Sequence, residues 1–449
     1  MHSFHYRHGR LHCEDVDLAR VAREFGTPLY VYSAETILDH YRRLDAALPE
    51  LDHLICYAVK ANSTRAILKL LAQAGAGFDI VSGGELFRVL AAGGDAARCT
   101  FAGVGKSIEE IEYALEQCVY SFNVESEAEL ECIDRIAGAK HLRARIALRA
   151  NPDVDPHTHE YISTGSRENK FGIALDRIAA VYARAAKMRN LDIVGVQMHI
   201  GSQIIETQLF VDAIKKIAPL VLELKAKYEI EFFSIGGGVG IVYESSFTSG
   251  SGDWWDSSTS SPQDGSVRSA DESTRKEQRT NQLSIQQYVD AILPPLRELK
   301  LRILLEPGRL LVGNAGVLLT RIRYIKRTGQ KKFAIVDAGM NDLIRPSLYH
   351  SFHEIVPVEE PSKSKSENTE KIDIVGPVCE TGDFFALDRE MPEVREGDLL
   401  AIMSAGAYGF VMASNYNSRP LPAEALVRGD KFALIRKRQT WEDLIRDEL

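Results

Sequence analysis

The chain reads as an α/β protein, a (β/α)8 TIM-type barrel joined to a separate β-rich domain of sandwich or barrel-like kind. Three observations point there. Eight short apolar runs alternate with helical segments between about residues 50 and 306. Those runs are apolar on both faces, as strands of a parallel sheet covered by helices are. After about residue 310 the pattern changes to strand-like runs separated by Gly and Pro. A doubly wound open sheet is the alternative arrangement of such βα units.

The eight runs are, in order, "LICYAVKA", "AGFDIVSG", "CTFAGVGK", "YSFNVES", "RARIALRANP", "IVGVQMHIGS", "FFSIGGGVG" and "RILLEPGR". Between them lie segments of helical period such as "STRAILKLLAQAG", "SIEEIEYALEQC" and "ALDRIAAVYARAAKM", with Ser63 and Ser107 placed as N-caps and Gly75 as a stop. The later runs are "LLTRIRYIKRT", "KFAIVDA", "KIDIVGPVCE", "GDLLAIMSAGAYG" and "KFALIRKR". We therefore expect a barrel over residues 30–307, and a β-rich domain built from 1–29 together with 308–449. Residues 245–282 interrupt the barrel pattern with eleven serines in thirty-eight positions and almost no aliphatic side chain. That composition buries too little surface to offset chain entropy, so a disordered insertion is expected, with the Trp254–Trp255 pair its only hint of docking. A second exposed loop is expected over 359–371.

At 449 residues with 45% hydrophobic and 26% charged side chains, the composition is that of an ordinary globular protein. A formal charge of −9 argues against nucleic acid or an anionic membrane as the main partner. No run is long and apolar enough to span a bilayer, and the N-terminal residues lack the apolar stretch of a secretion signal. The six cysteines fall without CxxC spacing, which suits a reducing cytoplasm better than a disulfide framework or a zinc site, and no metal is expected. The C-terminal "RDEL" is read as chance, because retention in the secretory pathway presupposes entry to it.

In a barrel of this kind the C-terminal ends of the strands face the active site. The chemically unusual residues lie there: Lys60, Asp79, Ser82, Asn151, His199, Ser202, Gly236, Gly237, Gly238, Glu306, Gly308 and Arg309. Lys60 follows an apolar strand, where an unpaired ammonium is costly. It pairs with a carboxylate there, or it serves as a nucleophilic amine. Three consecutive glycines in "SIGGGVGI" let backbone N–H groups approach a phosphate, although tight turns also use such runs. Glu306, after a wholly apolar run, is either half of a buried ion pair or a carboxylate facing a heterocyclic nitrogen. An amine, a phosphate cradle and a nitrogen-facing carboxylate together describe a pyridoxal phosphate site.

The motifs "YAVKANS", "GFDIVSGGEL", "NPDVDPHTHEYISTG", "ENKFGI", "QMHIGSQI", "SIGGGVGI", "LLEPGR", "GPVCETGDFF" and "AGAYGFVMASNYNSRPLPAE" resemble, in order, those of the diaminopimelate decarboxylases. These are fold-type III pyridoxal 5'-phosphate decarboxylases. The resemblance implies a barrel plus β-domain and a homodimer with active sites at the subunit interface. Lys60 resembles the Schiff-base lysine. Asp79, His199, Ser202, Gly236, Gly237, Gly238, Glu306, Pro307, Gly308, Arg309 and Tyr408 resemble the cofactor-binding residues. Arg309, Arg345, Tyr349, Glu380 and Tyr408 resemble those that bind substrate, a diamino dicarboxylic acid. Cys379 resembles the proton donor that the partner subunit contributes with Glu380. Weaker parallels reach His157 and His159. The implied reaction is decarboxylation of meso-2,6-diaminopimelate to L-lysine and CO2. The alternatives are decarboxylation of ornithine, arginine or carboxynorspermidine, or a homologue that retains the fold without catalysis.

Overall fold

The computed structural model describes residues 2–154, 170–244, 246–249, 284–362 and 368–449. It divides into two compact units, one of His40–Gly240 with Leu283–Leu311, the other of Met1–Asp39, Ile241–Gln282 and Val312–Leu449.

The first unit is the barrel. Its strands are β1 (His53–Ala58), β2 (Gly77–Ile80), β3 (Cys99–Phe101), β4 (Ser121–Val124), β5 (Ala144–Asn151), β6 (Leu191–Met198), β7 (Phe232–Ser234) and β8 (Arg302–Leu305). Each pairs in parallel with the next, and the pairing Leu304↔Leu54 of β8 with β1 closes the ring. The expected barrel is therefore closed, and the open sheet is set aside. All eight apolar runs became strands because helices cover them outside while their inward side chains meet one another.

Those inward side chains fall into two sets. Leu54, Cys56, Ala147, Phe232 and Leu304 pack together as an apolar cluster. Phe232 occupies the space that Gly195 leaves, since a Cβ there would lie 2.6 Å from its ring. The second set is polar. Register places Asp79 beside Thr100, Thr100 beside Ser121, and Gln197 beside Ser234, so these residues face the same interior.

Local signals set the helices. Ser107 caps Ile108–Glu116, and Glu110 completes the reciprocal capping box. The cap of Arg65–Gln73 is Thr64 rather than Ser63, because Asn62 Oδ1 accepts the Thr64 N–H at 3.0 Å and settles the turn one residue later. Gly75 takes φ +93° after the last turn, as a stop residue should. Side chains also stitch neighbouring βα loops. Glu110 accepts the Gly83 N–H at 2.8 Å, and Glu125 accepts the Gly172 N–H at 2.9 Å. Lys106, with its side chain fully buried, donates to Glu129 at 2.5 Å and to the Asn123 carbonyl at 3.0 Å.

The second unit is β-rich, as expected. Its long strand Gly316–Thr328 pairs antiparallel with Leu29–Ser33, Leu399–Ile402 and Lys331–Val336. The "PLYVYS" segment thus belongs to this unit, where it also runs parallel to Ala423–Arg428. Leu11, Val31, Val317, Leu319, Ala401 and Val427 share its core. Strands Phe384–Pro392 and Ala423–Arg428 were not anticipated, since charged residues interrupt their apolar pattern. Most of the serine-rich stretch, with Trp254 and Trp255, lies outside the described residues. The exception is Ser246–Ser249, one helical turn whose Phe247 N–H donates to Glu354 at 2.6 Å. The loop expected over 359–371 gives way to a strand at Thr369–Val375. Among the described residues no helix is long and apolar enough to cross a membrane.

Phe232→Ala should cost about 3–5 kcal/mol of barrel stability, the range for deleting a fully buried aromatic ring. Denaturant unfolding measures this, and a loss near zero would mean that the interior collapses freely into the gap.

Candidate active site

Glu306 follows β8 directly and points inward, 6% exposed. Its Oε1 accepts from Ser234 Oγ at 2.7 Å and Asn123 Nδ2 at 3.4 Å, and its Oε2 accepts from Gln197 Nε2 at 3.1 Å. Among the described residues the donors to this carboxylate are two neutral amides and a hydroxyl. Burial, reinforced by the charge of Asp79, pushes the carboxyl up to about 7, against the pull of the Ser234 bond and the Lys60 charge. Near neutral pH the group is therefore poised between carboxylate and acid.

Lys60 sits in the 3-10 turn Val59–Ala61, two residues beyond the end of β1. Its Nζ donates to Asp79 Oδ2 at 2.5 Å, with the Lys60 side chain 38% exposed and that of Asp79 1% exposed. The puzzle of an amine after an apolar strand thus has a direct answer. It reaches out of the wall to a buried carboxylate of the neighbouring strand.

Beside Glu306, whose N–H donates to the Gly236 carbonyl at 2.9 Å, lies the glycine turn. Gly236 has φ +72°, and a Cβ on it would fall 2.5 Å from the Met198 carbonyl. A Cβ on Gly237 or Gly238 would collide with the Glu306 or Gly201 carbonyl. No side chain fits, so the backbone itself forms the surface. The Gly237 N–H donates to His199 Nδ1 at 3.2 Å, which leaves that ring nitrogen without its own proton. Burial, then the charges of Arg149 and Lys60, hold His199 well below its usual range, so its ring is neutral. Gly308 backs onto Ala58 and Ala61, Pro307 accepts the Ala58 N–H at 3.0 Å, and Arg309 Nη2 donates to Ser202 Oγ at 3.0 Å. The barrel unit therefore gathers Lys60, Asp79, His199, Ser202, Gly236–Gly238 and Glu306–Arg309 around one mouth. Asn151 ends β5, where its Oδ1 accepts the Asp153 N–H at 2.9 Å, and His157 and His159 lie outside the described residues.

The β-rich unit holds the remaining candidates. Arg345 is buried between the rings of Tyr243 and Tyr349, at 5.3 and 5.8 Å from their centroids. Its helix is tied to the loop carrying Cys379 and Glu380, because Ser347 Oγ donates to the Gly382 carbonyl at 2.5 Å. Asp383 braces that loop, accepting from the Val378 and Met340 N–H groups, each at 2.6 Å. The Cys379 N–H donates to Asn417 Oδ1 at 3.2 Å, and the Tyr416 hydroxyl donates to Glu380. Cys379 itself is exposed. Tyr408 is half-buried with φ +56°.

Comparison with known proteins adds a finding of a different kind. A model of the pyridoxal-dependent decarboxylase, pyridoxal binding domain, matches residues 34–255. The diaminopimelate decarboxylase of Pseudomonas aeruginosa is 46% identical over 449 residues, covering 100% of this chain and 99% of its own. The chain belongs to the diaminopimelate decarboxylase family. The Aquifex aeolicus relative is 44% identical over 99% of the chain. The Helicobacter pylori diaminopimelate decarboxylase solved in complex with L-lysine superposes with a TM-score of 0.83 at 39% identity, covering 96% of this chain and 98% of its own. The M. jannaschii diaminopimelate decarboxylase, also in co-complex with L-lysine, gives 0.86 at 35%, covering 100% and 98%.

For this member of the diaminopimelate decarboxylase family, sequence reading passed over the supports of the site. Ser234, Gln197 and Asn123, which hold Glu306, were polar residues inside strands read only as apolar. Arg149 forms a buried pair with Glu125 at 2.8 Å and lies 4.8 Å from the Phe171 ring. Glu85 accepts the Val81 N–H at 2.8 Å, and burial raises it to about 7. The available signal was parity. Each strand polar residue shares its face with an inward position, and a lone polar side chain on a buried face needs a partner.

The raised carboxyl of Glu306 has a thermodynamic consequence. Because the folded state holds this proton more tightly than the unfolded chain, stability is fullest below about 4.5 and is lost as pH rises toward about 7. Stability curves of the parent and Glu306→Gln should diverge over that window, with the parent falling relative to the variant. Parallel curves would remove the raised acidity.

Proposed function

We propose that this chain decarboxylates meso-2,6-diaminopimelate to L-lysine and CO2, with pyridoxal 5'-phosphate as cofactor. The observation that carries the proposal is the conjunction, at one barrel mouth, of an amine, a side-chain-free glycine cradle and a buried carboxylate held by neutral donors. Those features fit the cofactor. Gly236–Gly238 admit a phosphate where any Cβ would collide. Glu306 offers a carboxylate in a low-dielectric interior to a ring nitrogen, and neutral His199 offers a flat face. Full-length identity to proteins named diaminopimelate decarboxylase supports the substrate.

When bound, the cofactor supplies an electron sink for the pair left on carbon as CO2 departs. The protein's own groups do the rest. Lys60 anchors the cofactor through its amine, and Asp79, 2.5 Å away, orients that amine. Glu306 holds a proton at the ring nitrogen. Arg345, immobilised between two tyrosine rings, presents its planar fork to a substrate carboxylate. Glu380 meets the distal ammonium, and the exposed Cys379 thiol delivers a proton to the carbon that lost CO2.

We assign the protein to a homodimer in which the Cys379–Glu380 loop serves the partner's site. A partly exposed apolar row supports this. Register aligns Tyr324, Ile335, Val375 and Phe384 across four strands, and Tyr324 is 64% exposed. We place the enzyme in the cytoplasm, consistent with six free thiols.

CO2 release measured side by side should be far faster from meso-diaminopimelate than from lysine, ornithine, arginine or carboxynorspermidine. Equal turnover of ornithine would overturn the substrate. In the same preparation Lys60→Ala should abolish the visible absorbance of bound cofactor, and an unchanged band would remove Lys60 from its role. Cys379→Ala should retain the band while lowering kcat by at least about tenfold, given the usual worth of a positioned acid.

A further inference from the structure

The barrel interior holds more polar atoms than its protein partners satisfy. Asp79 Oδ1, Thr100 Oγ1, Ser121 Oγ, Asn123 Oδ1 and Gln197 Oε1 are each buried without a hydrogen-bond partner among the described residues. The five side chains are 0–1% exposed. They are not scattered. Asp79, Thr100 and Ser121 are register neighbours on β2, β3 and β4, and Asn123 follows two residues on along β4, on the same face. Gln197 and Asn123 both turn their amide nitrogens to Glu306, so both carbonyl ends point away from it. An unpaired buried polar atom costs on the order of 1–3 kcal/mol, and five in one interior require a common partner. The donor set identifies it. Three acceptor oxygens call for donors, while two hydroxyls both give and take. Water alone among small ligands answers both needs.

We propose that Asp79, Thr100, Ser121, Asn123 and Gln197 bind a cluster of ordered water inside the barrel, and that this water positions the amides that hold Glu306. Thr100 and Ser121 are then positioning residues, two contacts removed from the chemistry. The inference rests on the reading of Glu306 as the partner of the cofactor nitrogen. The charges acting on Glu306 are those of Asp79 and Lys60. Its other titratable neighbours, the Cys56 thiol on β1 and the His199 imidazole after β6, are both kept neutral by burial. Fixing the amide ends keeps three donors on the carboxylate. Losing the water frees Asn123 and Gln197 to rotate, weakens those bonds and raises the proton affinity of Glu306.

The experiment uses the holoenzyme. Thr100→Val replaces the hydroxyl with a methyl of the same shape, and Ser121→Ala deletes the second hydroxyl. Both variants are followed by thermal unfolding and by the pH midpoint of the visible cofactor band, with Glu306→Gln as reference. If the hydroxyls hold water, Thr100→Val lowers Tm by a few degrees, and both variants move the midpoint upward by about half a pH unit. If Thr100 Oγ1 is merely buried and unpaired, the methyl raises Tm, and the inference falls. It falls equally if Glu306→Gln moves the midpoint while neither hydroxyl variant does. Should Glu306→Gln itself leave the midpoint in place, the reading of Glu306 fails first, and the water inference with it.

Discussion

The site depends on one buried carboxylate, Glu306, whose hydrogen-bond donors among the described residues are all neutral. A charge in a barrel interior is expensive to desolvate, and the usual remedy is an adjacent lysine or arginine. Here the remedy is three dipoles, from Ser234, Gln197 and Asn123, on three different strands. That choice leaves the proton affinity high, which a permanent salt bridge would not. It also makes the carboxylate hostage to the geometry of the whole ring, because each donor is carried by its own strand. Closure of the sheet is thus a chemical requirement as well as an architectural one.

The same logic extends to the glycine turn. Ser234 donates to Glu306 and accepts the Gly236 N–H at 3.3 Å, and the Glu306 N–H returns to the Gly236 carbonyl at 2.9 Å. The Gly237 N–H then fixes which nitrogen of His199 is bare. Nitrogen partner, phosphate surface and ring-facing imidazole are therefore one hydrogen-bonded assembly. A displacement at any of them is felt at the other two.

Much of this was legible in the sequence, for identifiable reasons. The eight strands showed because parallel strands must be apolar on both faces. Lys60, Glu306 and the three glycines showed because each is improbable where it stands. Lys60 stands 2.5 Å from Asp79, a contact compatible with both readings of the lysine, as an ion-pair partner and as a nucleophilic amine. What stayed hidden were contacts between strands distant in sequence. Nothing local to "VGVQMH" says that Gln197 will meet a carboxylate more than a hundred residues later. Ser63 was misread for Thr64 because a side chain two residues earlier, Asn62, decided the cap. Strands such as Phe384–Pro392 escaped because an edge of a sheet tolerates charge that a buried strand does not.

The stitching of adjacent βα loops by Glu110, Glu125 and Lys106 bears on how such a chain varies in length. A loop whose backbone N–H is spoken for by a neighbour's buried carboxylate cannot grow without leaving that carboxylate bare. The second and third loops are pinned in this way at Gly83 and Gly103, and Lys106 clasps the end of β4 through the Asn123 carbonyl. The serine-rich addition enters after Glu244, beyond Gly240, the last barrel residue on that side of the addition. The same device ties the start of that stretch, where the Phe247 N–H donates to the half-buried Glu354 carboxylate at 2.6 Å, so its entry point is fixed without drawing on any of the barrel clasps.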